Sequence, residues 1–198
     1  MTLLEASIHD NDIEVVEKFI KPDFENGPWI AGGAPLRWYR GEAIGDADID
    51  VYCRTQKQSR QLLAKIQKES RTLNWWSAIK YKTENAVSMS VGTVGDNNGA
   101  NWNIQIITRR VYDTLDDVLD DFDITVCQVG TDGDKWIATT DAISDIETKT
   151  LRLNLPIRDG VIKRVQKYWT YGYVPTDEVM DSLDKEEYFD ITIPKYGK

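Results

Sequence analysis

Residues 28–53 read PWIAGGAPLRWYRGEAIGDADIDVYC, and this stretch decides the fold. A brief apolar run leads into Gly32 and Gly33, a helical turn follows, and GDADIDVYC then alternates polar and apolar residues. An alternation with a period of two indicates a half-buried β-strand. The stretch therefore predicts a strand, a tight Gly-Gly turn, a short helix and a second strand.

The rest of the chain mixes helical and strand-like segments. Apolar residues at helical spacing predict helices at residues 12–20, 56–69, 113–121 and 159–173, and alternating runs predict strands at residues 73–81, 86–91, 101–109, 122–130 and 135–139. We expect an α+β fold, a central mixed β-sheet flanked by helices, in which residues 1–150 form the core. Residues 151–198 would add a C-terminal helix, with Val161, Ile162, Val165 and Trp169 turned inward, and an acidic tail packed on the core.

Composition excludes several classes of function. No apolar run approaches the roughly 20 residues of a membrane span, and the N-terminal segment lacks a secretion signal, which favours a cytoplasmic protein without a membrane partner. The two cysteines, Cys53 and Cys127, lie in apolar alternating runs and are interpreted as buried core thiols. With His9 as the single histidine, mechanisms that need an imidazole base lose weight, and carboxylates are the expected catalytic groups.

The charge is distributed unevenly. The formal net charge is −9, which argues against indiscriminate binding to nucleic acid, yet residues 54–82 hold eight basic residues and one acidic residue, a net +7. This stretch is either a phosphate-facing surface or a solvated helix face.

Three acids define the candidate chemistry. Asp46, Asp48 and Asp50 alternate with apolar residues, so a strand would project their carboxylates to one side. Neighbouring carboxylates repel one another unless a cation neutralises them, and Mg²⁺ takes one or two carboxylates together with phosphate oxygens. Upstream, Gly32 and Gly33 would let backbone N–H groups at a helix start approach a phosphate. Without these neighbours, the acids could equally belong to a solvent-facing edge strand.

In these motifs the chain resembles the DNA polymerase β-like nucleotidyltransferase superfamily, including its compact members of viral type. Members carry hG[GS], a spacer, DhDh, and a third acid on a separate strand. Here Gly32-Gly33 is followed by 14 residues and then by Asp48-Ile49-Asp50-Val51, and Asp123 best matches the third acid, with Asp121 as its competitor. Gly33 stands where many members have serine.

The resemblance implies a nucleotidyltransferase-like core and transfer of a nucleoside monophosphate from an NTP, such as ATP, to an acceptor, with release of pyrophosphate. Asp48, Asp50 and Asp123 would hold two Mg²⁺ ions, or Mn²⁺, about 4 Å apart. Asp123 would either take the acceptor proton or act through the metal. The acceptor is left open between an RNA 3′ end, a nucleotide, a protein hydroxyl and a small molecule, with RNA or a nucleotide slightly favoured.

Cationic and aromatic side chains complete the candidate site. The triphosphate would be bound by Gly32, Gly33, Arg37, Arg40, Lys163 and Lys167, with Lys80 or Lys82 as further candidates and Tyr168 or Trp169 as stacking residues for a base. Two other functions compete with catalysis: a catalytically silent binding or antitoxin-like regulatory protein that keeps the fold, and an acidic interaction domain in which the motif is accidental.

Overall fold

The structure is a computed structural model that describes residues 1–5, 7–8, 10–94, 101–154 and 160–184. Its main feature is a mixed sheet of eight strands with helices packed around it. The strands are β1 (Thr2–Leu4), β2 (Trp29–Ala31), β3 (Asp48–Tyr52), β4 (Trp75–Lys82), β5 (Ala86–Thr93), β6 (Asn101–Ile107), β7 (Val129–Thr131) and β8 (Trp136–Ala138). A separate parallel pair consists of β9 (Thr150–Leu151) and β10 (Val174–Pro175).

The helices are α1 (Asp10–Val15), α2 (Gly33–Tyr39), α3 (Gln56–Thr72), α4 (Leu115–Asp120), α5 (Thr140–Thr148), α6 (Val161–Thr170) and α7 (Asp177–Asp184). A π-helical turn, Val16–Ile20, continues α1, and a 3₁₀ turn spans Thr125–Cys127. None of the described helices is long and apolar enough to cross a bilayer.

The strand order in the sheet is β1-β8-β7-β2-β3-β6-β5-β4. Within it, β3 and β6 pair in parallel, while the other neighbouring strands whose pairing is described run antiparallel. The predicted α+β class with a mixed sheet is therefore confirmed. Gly32, Gly33 and the Asp48–Asp50 pair lie at the end of β2, at the start of α2 and on β3, and β2 and β3 are the two middle strands of this sheet.

One core joins the sheet to the C-terminal helix. Ile49 and Val51 of β3 are fully buried with Ile66 of α3, and Val165 of α6 belongs to the same cluster of buried side chains. Burial of this apolar surface is the dominant force that holds the layers together. The predicted acidic tail begins in α7, where Val179 belongs to the same cluster of buried side chains. Residues 185–198 lie outside the described residues, so the packing of that part stays a prediction.

A buried carboxylate ties the N-terminal helix to the motif. Asp12 is 3% exposed and accepts hydrogen bonds from the indole N–H groups of Trp38 (2.8 Å) and Trp102 (2.9 Å) and from the backbone N–H of Ile44 (2.8 Å). These donors come from α2, from β6 and from the loop before β3. One side chain thus fixes α2 against the strand that pairs with β3.

The predicted strand at residues 122–130 is wrong. Only Val129–Thr131 forms a strand of the sheet, and the 3₁₀ turn precedes it. Upstream, the backbone of residues 123–125 pairs with residues 152–154: Asn154 N–H donates to the Asp123 carbonyl at 2.9 Å, and Thr125 N–H donates to the Arg152 carbonyl at 3.2 Å. The polar–apolar alternation is real, but a partner outside the sheet satisfies the backbone.

The predicted inward face of α6 is also partly wrong. Val161, Val165 and Tyr168 are buried, whereas Trp169 is only half-buried. Helices α5 and α7 and strand β1 were not expected from the sequence. Both cysteines are free and buried, as predicted.

Candidate functional site

A cavity of about 290 Å³ brings most of the predicted site residues together. It lies between α2, β3, α6 and the segment before the 3₁₀ turn. Its lining includes four acids, Asp46, Asp48, Asp50 and Asp123, and four cations, Arg37, Arg40, Arg164 and Lys167, together with Gly33, Gln105, Phe122, Cys127, Tyr168 and Tyr171. The structure therefore gathers charged groups of both signs that are far apart in the chain.

Asp48 and Asp50 project from the same face of β3, while Ile49 and Val51 between them are buried in the core. The parallel register sets Asp48 opposite Asn103 and Asp50 opposite Gln105 of β6. Asp46 precedes the strand in a turn and still lines the cavity. The predicted common side is thus confirmed for Asp48 and Asp50, whereas the expectation that Asp46 lies on the same strand is wrong, because β3 begins at Asp48.

The electrostatics of this pair are unfavourable to two negative charges. Burial, and after it the neighbouring Asp48, raise the pKa of Asp50 to about 7, against the attraction of Lys167. Burial also raises the pKa of Asp48, against the attraction of Lys80 and Lys167. A group at the site that carries positive charge would relieve this repulsion.

Asp123 reaches the cavity from the opposite side. It lies on the segment that pairs with residues 152–154, is 7% exposed, and forms an ion pair with Arg164 of α6. The competitor Asp121 ends α4 and lines a neighbouring cavity instead. Of the two candidates for a third acid, Asp123 is the one that shares a cavity with Asp48 and Asp50.

The donor set fits one divalent cation better than two. Two carboxylates on one strand face, one of them with a raised pKa, are a suitable platform for Mg²⁺ that also binds phosphate oxygens. Among the described residues, however, there is no group of three or more His, Cys, Asp or Glu side chains that could hold a metal ion. Since Arg164 pairs with Asp123, a second ion would require this ion pair to open.

The two glycines play different parts. Gly33 lines the cavity, and a Cβ there would lie 3.4 Å from the Tyr168 hydroxyl. Gly32 does not line it: its N–H donates to the Val129 carbonyl at 2.9 Å, and a Cβ would lie 2.9 Å from the Phe122 ring. Gly32 also has a φ of +94°, a conformation that L side chains rarely adopt. Its role in the structure is to allow a close approach of Phe122.

The cations differ in how their charge is compensated. Arg37 donates to the Tyr171 hydroxyl at 3.0 Å and lies over the Tyr171 ring, so its partner there is neutral. Arg40 forms a 2.7 Å ion pair with Glu42. Lys167 is exposed and has its ammonium 5.8 Å from the centre of the Tyr168 ring. Arg37 and Lys167 are therefore the cations best able to attract an anionic ligand.

Lys163 lies outside the cavity and is exposed, while Arg164, which was not predicted, lines it. The reason is helical geometry, since each residue turns the helix by about 100°. Val161, Val165 and Tyr168 anchor the buried face. Lys163 then lies nearly opposite that face, and Arg164 lies beside it. The sequence held a signal for this: Arg164, Tyr168 and Tyr171 are spaced four and three residues apart, so they lie on the same side of the helix.

The remaining candidates lie at the rim or elsewhere. Lys80 donates to the Asn103 side chain at 2.9 Å, next to Asp48 in the sheet register. Lys82 lines another cavity. Trp75 stacks on Trp102 with ring centres 5.4 Å apart and packs in the core, whereas Trp76 is 37% exposed on β4.

Cys127 lines the cavity as a protonated thiol. Burial raises its pKa to about 12, and it lies 2.9 Å from the Tyr168 hydroxyl in a hydrogen bond. A thiol with such a high pKa is a poor nucleophile, because the thiolate is the reactive form.

The fold and site describe an α+β protein with a mixed sheet and a cavity lined by acids and cations at its centre. Residues 7–149 match the Gabija anti-defense 2 family. This match spans well over half of the chain, and the chain belongs to that family. No curated protein matches the chain significantly.

Proposed function

We propose that this protein is a metal-dependent nucleotidyltransferase that moves a nucleoside monophosphate from an NTP to an acceptor hydroxyl. One observation carries the proposal: the cavity that unites Gly33, the Asp48–Asp50 pair and Asp123. These are the motif positions on which the resemblance to the polymerase β-like superfamily rests, and they lie far apart in sequence. The family name contains the term anti-defense, and we therefore propose that the transferase activity acts against Gabija.

Charge explains how the cavity would bind substrate. Asp48 and Asp50 would hold Mg²⁺, which supplies Lewis-acid stabilisation of the charge that develops on the phosphate oxygens. Arg37 and Lys167 bind the negative triphosphate from the α2 and α6 sides. Tyr171 holds the Arg37 guanidinium in place through its hydroxyl.

The reaction needs an acceptor next to Asp123. The hydroxyl oxygen of the acceptor attacks the α-phosphorus, and the bond from that phosphorus to the oxygen bridging to the β-phosphate breaks. Pyrophosphate leaves with the electron pair, and the hydroxyl proton passes to the Asp123 carboxylate once Arg164 has moved to the phosphates. General-base help of this kind contributes about 10²–10⁴-fold.

A second candidate is a catalytically silent binding protein that keeps the fold. The Arg164–Asp123 ion pair favours it, because that pair occupies the third carboxylate and no three-acid cluster forms among the residues that the structure describes. Such a protein would bind an anionic ligand without turning it over.

The test is incubation of the purified protein with each α-³²P-labelled NTP and Mg²⁺, with and without RNA and cell lysate. Asp48→Asn serves as the inactive variant, and Asp116→Asn, an exposed acid on α4, serves as the matched control. We expect label transfer by the wild type and by Asp116→Asn, and a loss of at least 100-fold in Asp48→Asn.

Retained transfer in Asp48→Asn would refute the assignment of that residue. NTP binding without transfer to any acceptor would favour the silent binding protein. Absence of both transfer and Mg²⁺-dependent NTP binding would refute the transferase and leave the silent binding protein.

A further inference from the structure

A cavity of about 540 Å³, here called the α3 cavity, lies on the other side of the sheet from the candidate site. The strand register shows this, because Val51, Ile106 and Val87 are successive cross-strand neighbours on β3, β6 and β5. Residues directly opposite one another in a sheet point to the same face, and side chains alternate along a strand, so this row points away from the face of Asp48 and Asp50. Ile106 and Val87 line the α3 cavity, which shares no lining residue with the cavity at Asp48.

The inner lining of the α3 cavity is apolar. Ile106 and Val87 come from the sheet, and Leu63 comes from α3. Ser59 also lines the cavity from a buried position of α3, and its hydroxyl donates to the Thr55 carbonyl at 3.3 Å, within the same helix. A serine at a core position of an amphipathic helix leaves space that a larger apolar side chain would fill.

The neutral polar groups around the cavity mostly bond to its own walls. Gln56 donates from its side-chain amide to the Thr108 carbonyl at 2.9 Å. The Thr108 hydroxyl donates to the Glu84 carbonyl at 3.2 Å, and the Thr83 hydroxyl donates to the Ala86 carbonyl at 3.3 Å. These bonds join the end of β6 to the β4–β5 turn and to α3. The cavity is therefore preformed, with walls that are fixed to one another.

Three charged side chains line the cavity, Arg60 of α3, Lys82 at the end of β4 and Glu84 in the turn that follows. Lys82 is the cross-strand neighbour of Val87, so it continues the apolar row at the edge of the sheet. Within the described ranges, neither Arg60 nor Lys82 forms an ion pair with a carboxylate. Two positive charges and one negative charge leave a net charge of +1, which matches a single anionic group.

We propose that the α3 cavity binds a small organic anion that has an apolar body and one negatively charged head group, such as a carboxylate or a sulfonate. The body contacts Leu63, Val87 and Ile106, and the head group accepts charge-assisted hydrogen bonds from Arg60 and Lys82. The volume of about 540 Å³ falls within the range of roughly 300–1,000 Å³ that is usual for small-molecule sites. An NTP is disfavoured here, because its phosphates carry several negative charges and the inner lining is apolar.

The combination of cations with an apolar cavity distinguishes this place from the rest of the basic stretch at residues 54–82. Lys68 and Arg71 are also exposed on α3, near its other end, and neither lines the α3 cavity. Exposed cations of that kind only contribute to the general field of the surface. Lys68 and Arg71 therefore provide a matched control, since their removal changes the net charge equally without altering the cavity.

The test compares two fluorescent probes that differ in charge, anilinonaphthalene sulfonate and phenylnaphthylamine, which has the same apolar body without the sulfonate. Both are titrated into the full chain in the absence of Mg²⁺ and NTP. For a ligand of about 20 non-hydrogen atoms at ordinary efficiency, the Kd of the sulfonate should be on the order of tens of micromolar. The neutral probe should bind at least about fivefold more weakly, because it lacks the charge-assisted hydrogen bonds.

Two kinds of variant test the two parts of the site. Arg60→Gln/Lys82→Gln should weaken binding of the sulfonate about tenfold and change binding of the neutral probe by less than about twofold. The control Lys68→Gln/Arg71→Gln should change binding of either probe by less than about twofold. Ser59→Leu fills the cavity and should weaken both probes at least about tenfold. The charge variants replace exposed side chains, so they test the proposal even if Ser59→Leu does not fold.

Displacement of the bound sulfonate identifies the body that the cavity prefers. Decanoate offers a flexible aliphatic chain, and naphthalene acetate offers a flat aromatic one, each with a single carboxylate. Stronger displacement by decanoate would assign an aliphatic ligand, and stronger displacement by naphthalene acetate would assign an aromatic one.

Equal binding of the sulfonate by wild type and Arg60→Gln/Lys82→Gln, or equal weakening in both double variants, would overturn the inference. So would a wild type that binds no sulfonate, or a bound sulfonate that neither carboxylate displaces. Displacement by ATP with Mg²⁺ would place the probe in the cavity of Asp48 and would also overturn it. Since the two cavities share no lining residue, these results do not depend on whether the protein transfers nucleotides.

Discussion

Replacing Asp50 with asparagine should stabilise the metal-free protein at alkaline pH while it removes Mg²⁺-dependent binding of NTP. The pKa of Asp50 is raised from 3.8 to about 7, chiefly by burial and then by Asp48. The folded state therefore binds this proton more tightly than the unfolded state does. The contribution of Asp50 to the free energy of unfolding is therefore most favourable below about pH 4, and it becomes less favourable as the pH rises towards 7.

The size of the effect follows from the shift. About three pKa units at roughly 1.4 kcal/mol each correspond to about 4 kcal/mol at full strength. Asp50 is partly accessible to solvent, which reduces this figure, so we expect Asp50→Asn to be about 1–3 kcal/mol more stable than wild type at pH 8. The difference should disappear near pH 4, where both side chains are neutral in the folded state.

Urea unfolding at pH 8 and near pH 4, with a chelator present, measures this difference. Asp116→Asn, at an exposed position of α4, is the control and should change stability by less than about 0.5 kcal/mol at either pH. Addition of Mg²⁺ and NTP should then stabilise wild type but not Asp50→Asn. An Asp50→Asn protein that is less stable than wild type at pH 8, or a difference that does not depend on pH, would refute the electrostatic reasoning.

Two further substitutions test how the site is supported. Asp12→Ala leaves three buried N–H donors without their charged acceptor and should cost about 3–5 kcal/mol in chemical unfolding, whereas Asp10→Ala at the exposed start of α1 should cost less than about 1 kcal/mol. Gly32→Ala should destabilise by about 2–4 kcal/mol, because it combines a positive φ with a 2.9 Å contact to Phe122. Gly41→Ala has a φ of +71° and open space around its Cβ, so it should show the strain alone, about 1 kcal/mol. Equal losses at the two glycines, or a neutral Asp12→Ala, would contradict these explanations.

The parts of the fold that could be predicted are those where local signals agree. In α3, apolar residues recur at helical spacing, and Thr55 caps the first turn by accepting from Gln58 N–H at 3.0 Å. The strand, turn, helix and second strand of residues 28–53 could likewise be predicted. Gly32 indicates a turn with a positive φ, and the polar–apolar alternation of β3 indicates an extended strand. Helix α5 was missed although Ala142, Ile143 and Ile146 recur at helical spacing and Thr139 caps its first turn, so a local signal for this helix is present in the sequence.

The sequence-based predictions that failed concern features that depend on contacts between distant segments of the chain. The alternation of residues 122–130 is compatible with a strand, yet the partner at residues 152–154 decides the outcome, and no local pattern encodes that pairing. For the same reason Arg164 was missed. Its relevance comes from the carboxylate of Asp123, which lies 41 positions earlier in the chain.

Under the proposed function, the charge balance of the cavity explains why the Arg164–Asp123 ion pair would form without substrate and open when substrate binds. The cavity is lined by four carboxylates and four cationic side chains, so without substrate its formal charge is near zero. An NTP brings about four negative charges and one divalent cation offsets two of them, so the bound complex adds about two negative charges to the cavity. The phosphates then compete with Asp123 for the Arg164 guanidinium. Once Arg164 has moved to a phosphate, Asp123 becomes available to the acceptor. The ion pair is therefore compatible with an enzyme whose third carboxylate is released only when the full substrate complex has assembled.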